Sequence, residues 1–490
     1  MATIDLRRDD GGGPGRSAGP VETNGINVID ESERTGRPRS LFWPWAAANV
    51  SVLAIGYGAY LLGLGIGFWQ ALVAGVAGIV VSFLLVGLVS LAGKRGSAPT
   101  MVLSRAPFGV VGNALPALVG YVLTVGWEVI LVTLSTQAVK TVFGRLGWPT
   151  GTRTTLGCFV VVVAVIVAAG LFGYRAIIGL QRALTVVLGI LTVGFVLLTI
   201  KDVHWHQVAA VPGGSTQAVI GAAILAATLF GFGWVNTGAD YSRYLPRRAS
   251  SGGVVWWTTF GSSIFPVLLV AWGLLLVTGN KDLTASVGSA PVAALAALLP
   301  TWYLVPFVLV AVFGLVAGAV MDIYSSGLTL LTLGVRIPRW SAALIDGVIM
   351  IAGSYYLVFR SANFQNAFTS FLITLAVPMA AWCGVFLADL LQRRDTYDDR
   401  ELYDRRGRYG VASVPGLTGM LLGMALGFGL VVATPALLTW EGYLLGPFGL
   451  GGRSGIWAGA SLGVVVALVA GFLVQAVGGL GRVRRQERVL

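Results

Sequence analysis

LFGFGWVNTGADYSRYLPRR, residues 229–248, changes character in mid-course. It starts apolar, is interrupted by Gly231 and Gly233, and closes on Asp240, Tyr241, Arg243 and Tyr244. What such a broken run means depends on its surroundings. The chain has 490 residues, 56% of them hydrophobic and only 11% charged, whereas a soluble domain carries about 25% charged residues. Apolar runs long enough to cross a bilayer as helices fall at 41–67, 69–93, 108–139, 155–173, 180–200, 216–239, 252–279, 302–332, 341–359, 366–391, 411–436 and 455–480. The pattern predicts an all-α polytopic membrane protein with twelve transmembrane helices. Long unbroken runs argue against a transmembrane β-barrel, whose segments are short and alternating.

Residues 1–40 are polar, with GGGPG at 11–15, and read as a disordered cytoplasmic tail. The first apolar run starts too late and runs too long for a cleavable signal. Residues 481–490 form a second cytoplasmic tail. Cys158 and Cys383 lie in separate apolar segments and read as small core residues, with no disulfide or metal site expected. With both termini inside, Lys140, Arg145, Arg153, Lys201, Lys281, Arg360 and Arg453 fall outside and the rest of the 33 Lys and Arg fall inside. That asymmetry is the positive-inside pattern. It accounts for the formal charge of +12 by topology in a cytoplasmic membrane, and no nucleic-acid partner is expected.

The apolar stretch at 286–300 is too short to span and is expected to form an outside re-entrant or surface helix. The polar loop at 392–410 divides a ten-helix unit from a C-terminal pair at 411–480. Within the unit, 41–201 and 216–392 are taken as five-helix sets. The first span of each carries Gly-aromatic-Gly: Gly56-Tyr57-Gly58 in AIGYGAY and Gly231-Phe232-Gly233 in LFGFGWV. Matching glycine interruptions in two halves point to a transporter site at the midplane, because freed backbone groups are tolerated in a membrane only where they line a cavity. Chance and helix packing by small residues explain any single glycine pair equally well, with 68 glycines in the chain.

Charges within the spans are few. Glu128 follows Trp127, and Asp322 sits in VAGAVMDIYSSGLTLL. An ionisable residue inside a membrane is a functional candidate by default, and a carboxylate removed from water can exchange a proton near neutral pH. Asp322 and Glu128 are therefore expected to couple an ion, with a structural hydrogen bond as the plain alternative. Asp346 and Asp389, near span ends, read as capping or interfacial groups. Trp43, Trp45, Trp69, Trp148, Trp302, Trp340 and Trp440 fit an interfacial belt, whereas Trp127 and Trp234 fall inside spans. Two aromatics facing across a cavity suit a flat hydrogen-bonding ring. Ordinary core packing explains them nearly as well. The two histidines, His204 and His206, lie in one loop without further ligands. With no Walker sequence and no catalytic cluster, neither an enzyme, a cofactor nor ATP-driven transport is expected.

GADYSRYLP at 238–246, MDIYSSGLTLLTLGVRIPR at 321–339 and GVVGNALPALVGYVLTVGW at 109–127 resemble the nucleobase:cation symporter-1 family, the purine and cytosine permeases with their allantoin and hydantoin relatives. The resemblance runs from about residue 42 to 480. It implies two inverted five-helix repeats, LeuT-like, plus two C-terminal helices, with alternating access around broken first and sixth helices. It also implies a substrate ring held between Trp127 and an aromatic of the sixth helix, Trp234 first and Phe232 second. Gly231, Ser51 and Tyr57 are expected to join that site. Where many members place an asparagine in the eighth helix, this chain has Asp322. Sodium-coupled relatives carry hydroxyls shortly before that position, while residues 314–320, GLVAGAV, have none. Both departures favour protons over sodium.

The reading is a secondary transporter importing a nucleobase, cytosine or a purine, by proton symport. The alternatives are a sodium-coupled carrier of allantoin, hydantoin or another heterocycle, and a channel-like facilitator. Asp240 and Arg243 are expected to latch the inner gate, by pairing with each other or with a neighbouring loop.

Overall fold

The computed structural model describes residues 24–170, 174–360, 364–394 and 396–488, and no strand occurs among them. In chain order the principal helices are α1 (Phe42–Asn49), α2 (Val52–Leu62), α3 (Phe68–Gly96), α4 (Ala114–Arg145), α5 (Thr152–Gly170), α6 (Tyr174–Thr199), α7 (Thr216–Leu229), α8 (Ser251–Val277), α9 (Leu304–Thr332), α10 (Arg339–Phe359), α11 (Phe364–Gln392), α12 (Val414–Phe428) and α13 (Gly463–Gly478). Among the described residues nine helices are long and apolar enough to cross a membrane, and up to eleven if each bent pair is one span. The expected count of twelve is not reached, because α12 has only 15 residues. The apolar run at 411–436 leaves the helix at Gly429 and meets Pro435, and turns with short 3-10 pieces at Ala436–Leu438, Gly452–Ser454 and Ala458–Ala460 lead to Gly463. The run taken to start at 455 therefore becomes helical only at Gly463.

Two of the apolar runs are broken. α1 and α2 meet at Val50 and Ser51 with a 66° bend. α7 stops at Leu229, and two 3-10 turns, Gly231–Gly233 and Val235–Thr237, precede a short helix at Gly238–Ser242. α2 packs on α8 and α3, α7 packs on α3, α4 packs on α5, α9 and α10, and α1 reaches α8, α6 and α9. The site lies where these sets meet. The expected helix at 286–300 is two pieces, Lys281–Ser289 and Pro291–Ala297, the second packed on α2 and α4.

Lipid gives apolar side chains no reason to prefer one another, so close packing binds membrane helices and small residues permit it. A Cβ on Gly273 of α8 would lie 2.0 Å from the Ile55 carbonyl oxygen, and one on Gly58 would lie 2.6 Å from the Leu274 nitrogen. α12 and α13 join α11 in the same way, with Gly384 against Leu468, Gly471 against Ala381, and Gly427 against Gly463.

One end of the bundle is sewn shut by the chain's own early residues. Residues 24–41, most of which were expected in the tail, carry 3-10 turns at Glu31–Glu33 and Pro38–Leu41. The Ile29 N–H donates to Ser97 O at 2.9 Å, and the Gly36 N–H to Tyr244 O at 3.1 Å. The Arg34 guanidinium donates twice to Ile29 O. The 392–410 loop lies over the same end: Arg105 donates to Leu402 O and Thr332 O, Arg247 pairs with Asp399 at 2.9 Å, and Tyr403 donates to Ile26 O. Burial pushes the Tyr403 hydroxyl upward, which keeps it a donor. The loop is thus folded over this end of the bundle.

Candidate substrate site

The second break is held open by side chains of α3 and α4. Its backbone leaves the α-helical ladder for a few 3-10 bonds, so the remaining groups need partners elsewhere. Ser82 Oγ accepts from the Gly231 N–H at 3.2 Å. Ser90 Oγ donates to Gly238 O at 2.9 Å, and Ser242 Oγ donates to Ser90 O at 2.7 Å. From α4, Thr124 Oγ1 accepts from Asn236 Nδ2 at 3.0 Å. A Cβ on Gly231 would come 2.4 Å from the Ser82 carbonyl carbon, and one on Gly233 would come 2.8 Å from Trp127 Nε1. Glycine is therefore required here for close approach, to α3 on one side and to the indole on the other.

The first break is capped by Ser51, whose Oγ accepts from the Leu53 N–H at 3.2 Å. Asn49 donates back to Trp45 O at 2.8 Å. Against this break lies Gly314 of α9, where a Cβ would stand 2.3 Å from the Val50 carbonyl oxygen. The run without hydroxyls at 314–320 thus has a steric reason at its first residue: α9 presses against the bend.

Between the two breaks is a cavity with about 50 Å³ of water-accessible space. Asn49, Ser51 and Tyr57 line it from the first break, Phe230 and Trp234 from the second, Trp127 from α4, and Asp322 and Gly318 from α9. Of the residues expected to bind substrate, Trp127, Trp234, Asp322, Ser51 and Tyr57 are brought together there. Gly231 and Phe232 are not: Gly231 is turned to Ser82, and Phe232 is buried in the core while Phe230 takes the lining position. Phe230 meets Tyr57 edge to face, centroids 5.3 Å apart. Trp234 stands edge to face with Trp45 at 5.7 Å, and Trp127 with Phe368 at 5.9 Å.

Two buried polar groups of the lining have no hydrogen-bond partner: the Trp127 Nε1–H, and both oxygens of Asp322, which is 1% exposed. Buried polar groups are normally satisfied, so a donor and a carboxyl left open at one cavity mark a place for a ligand with polar edges. Below Asp322, the Tyr241 hydroxyl donates to Met321 O at 2.7 Å, and the Tyr241 ring packs on Trp45. Trp45, expected in the interfacial belt, is fully buried beside the site, whereas Trp69, Trp148, Trp302, Trp340 and Trp440 are exposed.

Glu128 does not line the cavity. Its Oε1 is hydrogen-bonded to Ser326 Oγ at 2.7 Å. Asp346, expected near a span end as a cap, is fully buried in the same group, 3.0 Å from Ser326 Oγ. Nothing local in the sequence pointed to this group of Glu128, Ser326 and Asp346, whose members come from three helices. Asp240 and Arg243 turn to different partners. Asp240 Oδ1 accepts from the Thr100 N–H at 2.7 Å and hydroxyl at 2.8 Å. Arg243 donates to Gly25 O at 2.8 Å and to the Tyr324 hydroxyl at 2.8 Å.

Residues 28–446 match the family model described as permease for cytosine/purines, uracil, thiamine, allantoin. The putative purine-cytosine permease YxlA of Bacillus subtilis is 24% identical over 405 residues, which cover 80% of this chain and 84% of that protein. The purine-cytosine permease FCY21 of Saccharomyces cerevisiae is 24% identical over 241 residues, 47% of this chain and 43% of that protein. Among solved structures, Mhp1, a nucleobase-cation-symport-1 family transporter in a closed conformation with bromovinylhydantoin bound, superposes with a TM-score of 0.68 at 18% identity. That match covers 96% of this chain and 99% of Mhp1, and shows the shared fold.

Proposed function

The chain belongs to the family of permeases for cytosine/purines, uracil, thiamine and allantoin, and from that premise we propose that it imports cytosine or a purine by proton symport through alternating access. The family is one of transporters and not of enzymes, and the chain is an integral membrane protein. The observation that carries the proposal is the cavity at the two breaks, with the open Asp322 carboxyl and Trp127 N–H flanked by Trp127 and Trp234. A nucleobase is flat enough to stack between indoles, and its edge supplies the donors and acceptors that those two groups lack. A neutral Asp322 carboxyl has one donor and one acceptor, the pattern of an asparagine side chain. Protonation of Asp322 would then complete the substrate's polar contact, so that proton and substrate bind together. Alternating access would work between two inverted five-helix repeats, 41–201 and 216–392, with the pair at 411–480 outside them. We place the chain in the cytoplasmic membrane with both termini inside.

Uptake of labelled cytosine, adenine and guanine into proteoliposomes tests this. Concentrative uptake driven by an inward proton gradient and abolished by a protonophore is expected. Asp322→Asn is expected to bind substrate without its pH dependence. Uptake that persists under a sodium gradient with the proton gradient collapsed would overturn the coupling, and downhill uptake alone would mean a facilitator. One observation favours a second substrate reading: Mhp1, alike over nearly the whole chain, is described with a hydantoin bound. Allantoin and hydantoins therefore belong in the same screen.

A further inference from the structure

We propose that Glu128 and Asp346 hold one proton between them through Ser326, and that this buried carboxyl pair is a protonation site of the carrier separate from its substrate cavity. The role in transport rests on the proton-symport reading above, but the existence of the bound proton does not.

Ser326 Oγ lies 2.7 Å from Glu128 Oε1 and 3.0 Å from Asp346 Oδ2. A hydroxyl has one hydrogen to give, and an ionised carboxylate only accepts. Were both acids ionised, one of these two contacts would set a lone pair against a lone pair, between like charges away from water. A proton on one acid removes the conflict. The surrounding bonds say which acid holds it. Asp346 Oδ1 accepts from the Tyr121 hydroxyl at 2.5 Å, so with Ser326 it has a donor at each oxygen and is served as the anion. Glu128 Oε2 has no partner, so Glu128 is the acid. Its Oε1–H donates to Ser326 Oγ, and the Ser326 hydroxyl donates to Asp346 Oδ2. Transfer of the proton the other way reverses both bonds and creates no new charge.

The titratable neighbours are few. α4 contributes Tyr121, α10 contributes Asp346, and α9 contributes Asp322. The cation of α10, Arg339, is turned away, donating to Gly170 O and lying over the Tyr324 ring. The titratable groups of α5, Arg153 and Cys158, sit in its first half, whereas Gly347 beside Asp346 meets Val167 in its second. α11 faces α4 with Phe371 and Phe368. Among the described residues no cation is paired with Glu128 or Asp346. An independent observation links it to a ligand site. Asp322, buried with both oxygens unpartnered, precedes Ser326 by one turn on α9, and residues four apart share a helix face. Glu128 likewise follows Trp127 of the cavity wall. The pair stands one step behind the site on both helices.

Infrared difference spectroscopy of the purified full-length protein in lipid vesicles, titrated with acid and base without substrate, reads the proton directly. A carbonyl band of a protonated buried carboxyl is expected in the wild type, absent in Glu128→Gln and retained in Asp322→Asn. A band retained in Glu128→Gln, or lost in Asp322→Asn alone, would overturn the proposal. Should Glu128→Gln not fold, Asp346→Asn gives the same answer from the other side. With the far end of the chain through Ser326 removed, the Glu128 carbonyl band is expected to shift in frequency, and a band identical to the wild type would sink the pair. The two readings separate cleanly. Sodium-driven uptake with a band that Glu128→Gln removes would end proton symport and keep the pair. Proton-driven uptake with a band indifferent to Glu128→Gln would do the reverse.

Discussion

The two Gly-aromatic-Gly motifs are alike in sequence and unlike in space. Gly231-Phe232-Gly233 is itself a break, a 3-10 turn between α7 and the rest of its span. Gly56-Tyr57-Gly58 lies inside the continuous helix α2, and the first break falls upstream at Val50 and Ser51. The glycines of the second motif admit α3 and the Trp127 indole. Those of the first admit Pro291 and the backbone of α8 at Gly273 and Leu274. A glycine in an apolar run can release the backbone from helix or let another backbone come close. The residues standing across from it decide which.

Substitutions can break this contrast or sharpen it. The largest effect is expected from Gly231→Ala, whose Cβ would meet the carbonyl carbon and Cβ of Ser82 at 2.4 Å. Overpacking of this kind costs about 1–3 kcal/mol, and here it falls on the break whose flanking residues Phe230 and Trp234 line the cavity. Uptake should be lost and Tm lowered, and near-normal uptake would remove the second motif from the site. Trp127→Ala and Trp234→Ala come next. Stacking is worth about 1–3 kcal/mol per base, so substrate affinity should fall roughly ten- to hundredfold in each, read by a binding isotherm. If neither changes affinity, the ring is not held between them.

Gly58→Ala meets backbone at 2.6 Å and should cost a similar 1–3 kcal/mol, roughly, in stability. The loss should appear in Tm, with substrate affinity nearly kept. The opposite pattern would make the first motif part of the site. Gly56→Ala presses only on the Pro291 ring, at 2.9 Å, and should cost less than about 1.5 kcal/mol. Smallest of all is Arg247→Ala, which removes a part-exposed pair with Asp399 worth about 0–1 kcal/mol. A large loss of stability there would mean that the closed end depends on that pair.

Much of this was legible in the residues. The apolar runs gave the helices, because hydropathy over about 20 residues is a local property. Asp322, Trp127 and Trp234 stood out for being polar or aromatic deep within spans. What the sequence could not carry was contact between distant helices. Asp346 looked like a span-end group because its partners, Tyr121 and Ser326, lie on other helices. Trp45 looked interfacial because its position near the start of a run says nothing about Trp234 and Tyr241 packing over it. Phe230 lines the cavity in place of Phe232 because a 3-10 turn at the break rotates side chains away from the helical spacing. The failure of α12 to span followed from Gly429 and Pro435 within a run that hydropathy alone reads as continuous.

The cover formed by residues 24–41 has a kinetic meaning. It is joined to α1 by the chain itself, so its return to Tyr244, Ser97 and Gly25's partner Arg243 is an intramolecular step. A tether of this length holds its segment at an effective concentration of about millimolar. Bonds too weak to retain a free peptide therefore suffice to hold the segment on that end. A peptide of the same sequence, added to protein lacking the segment, would be a poor substitute. Residues 24–41 thus behave as a tethered ligand for that end of the bundle.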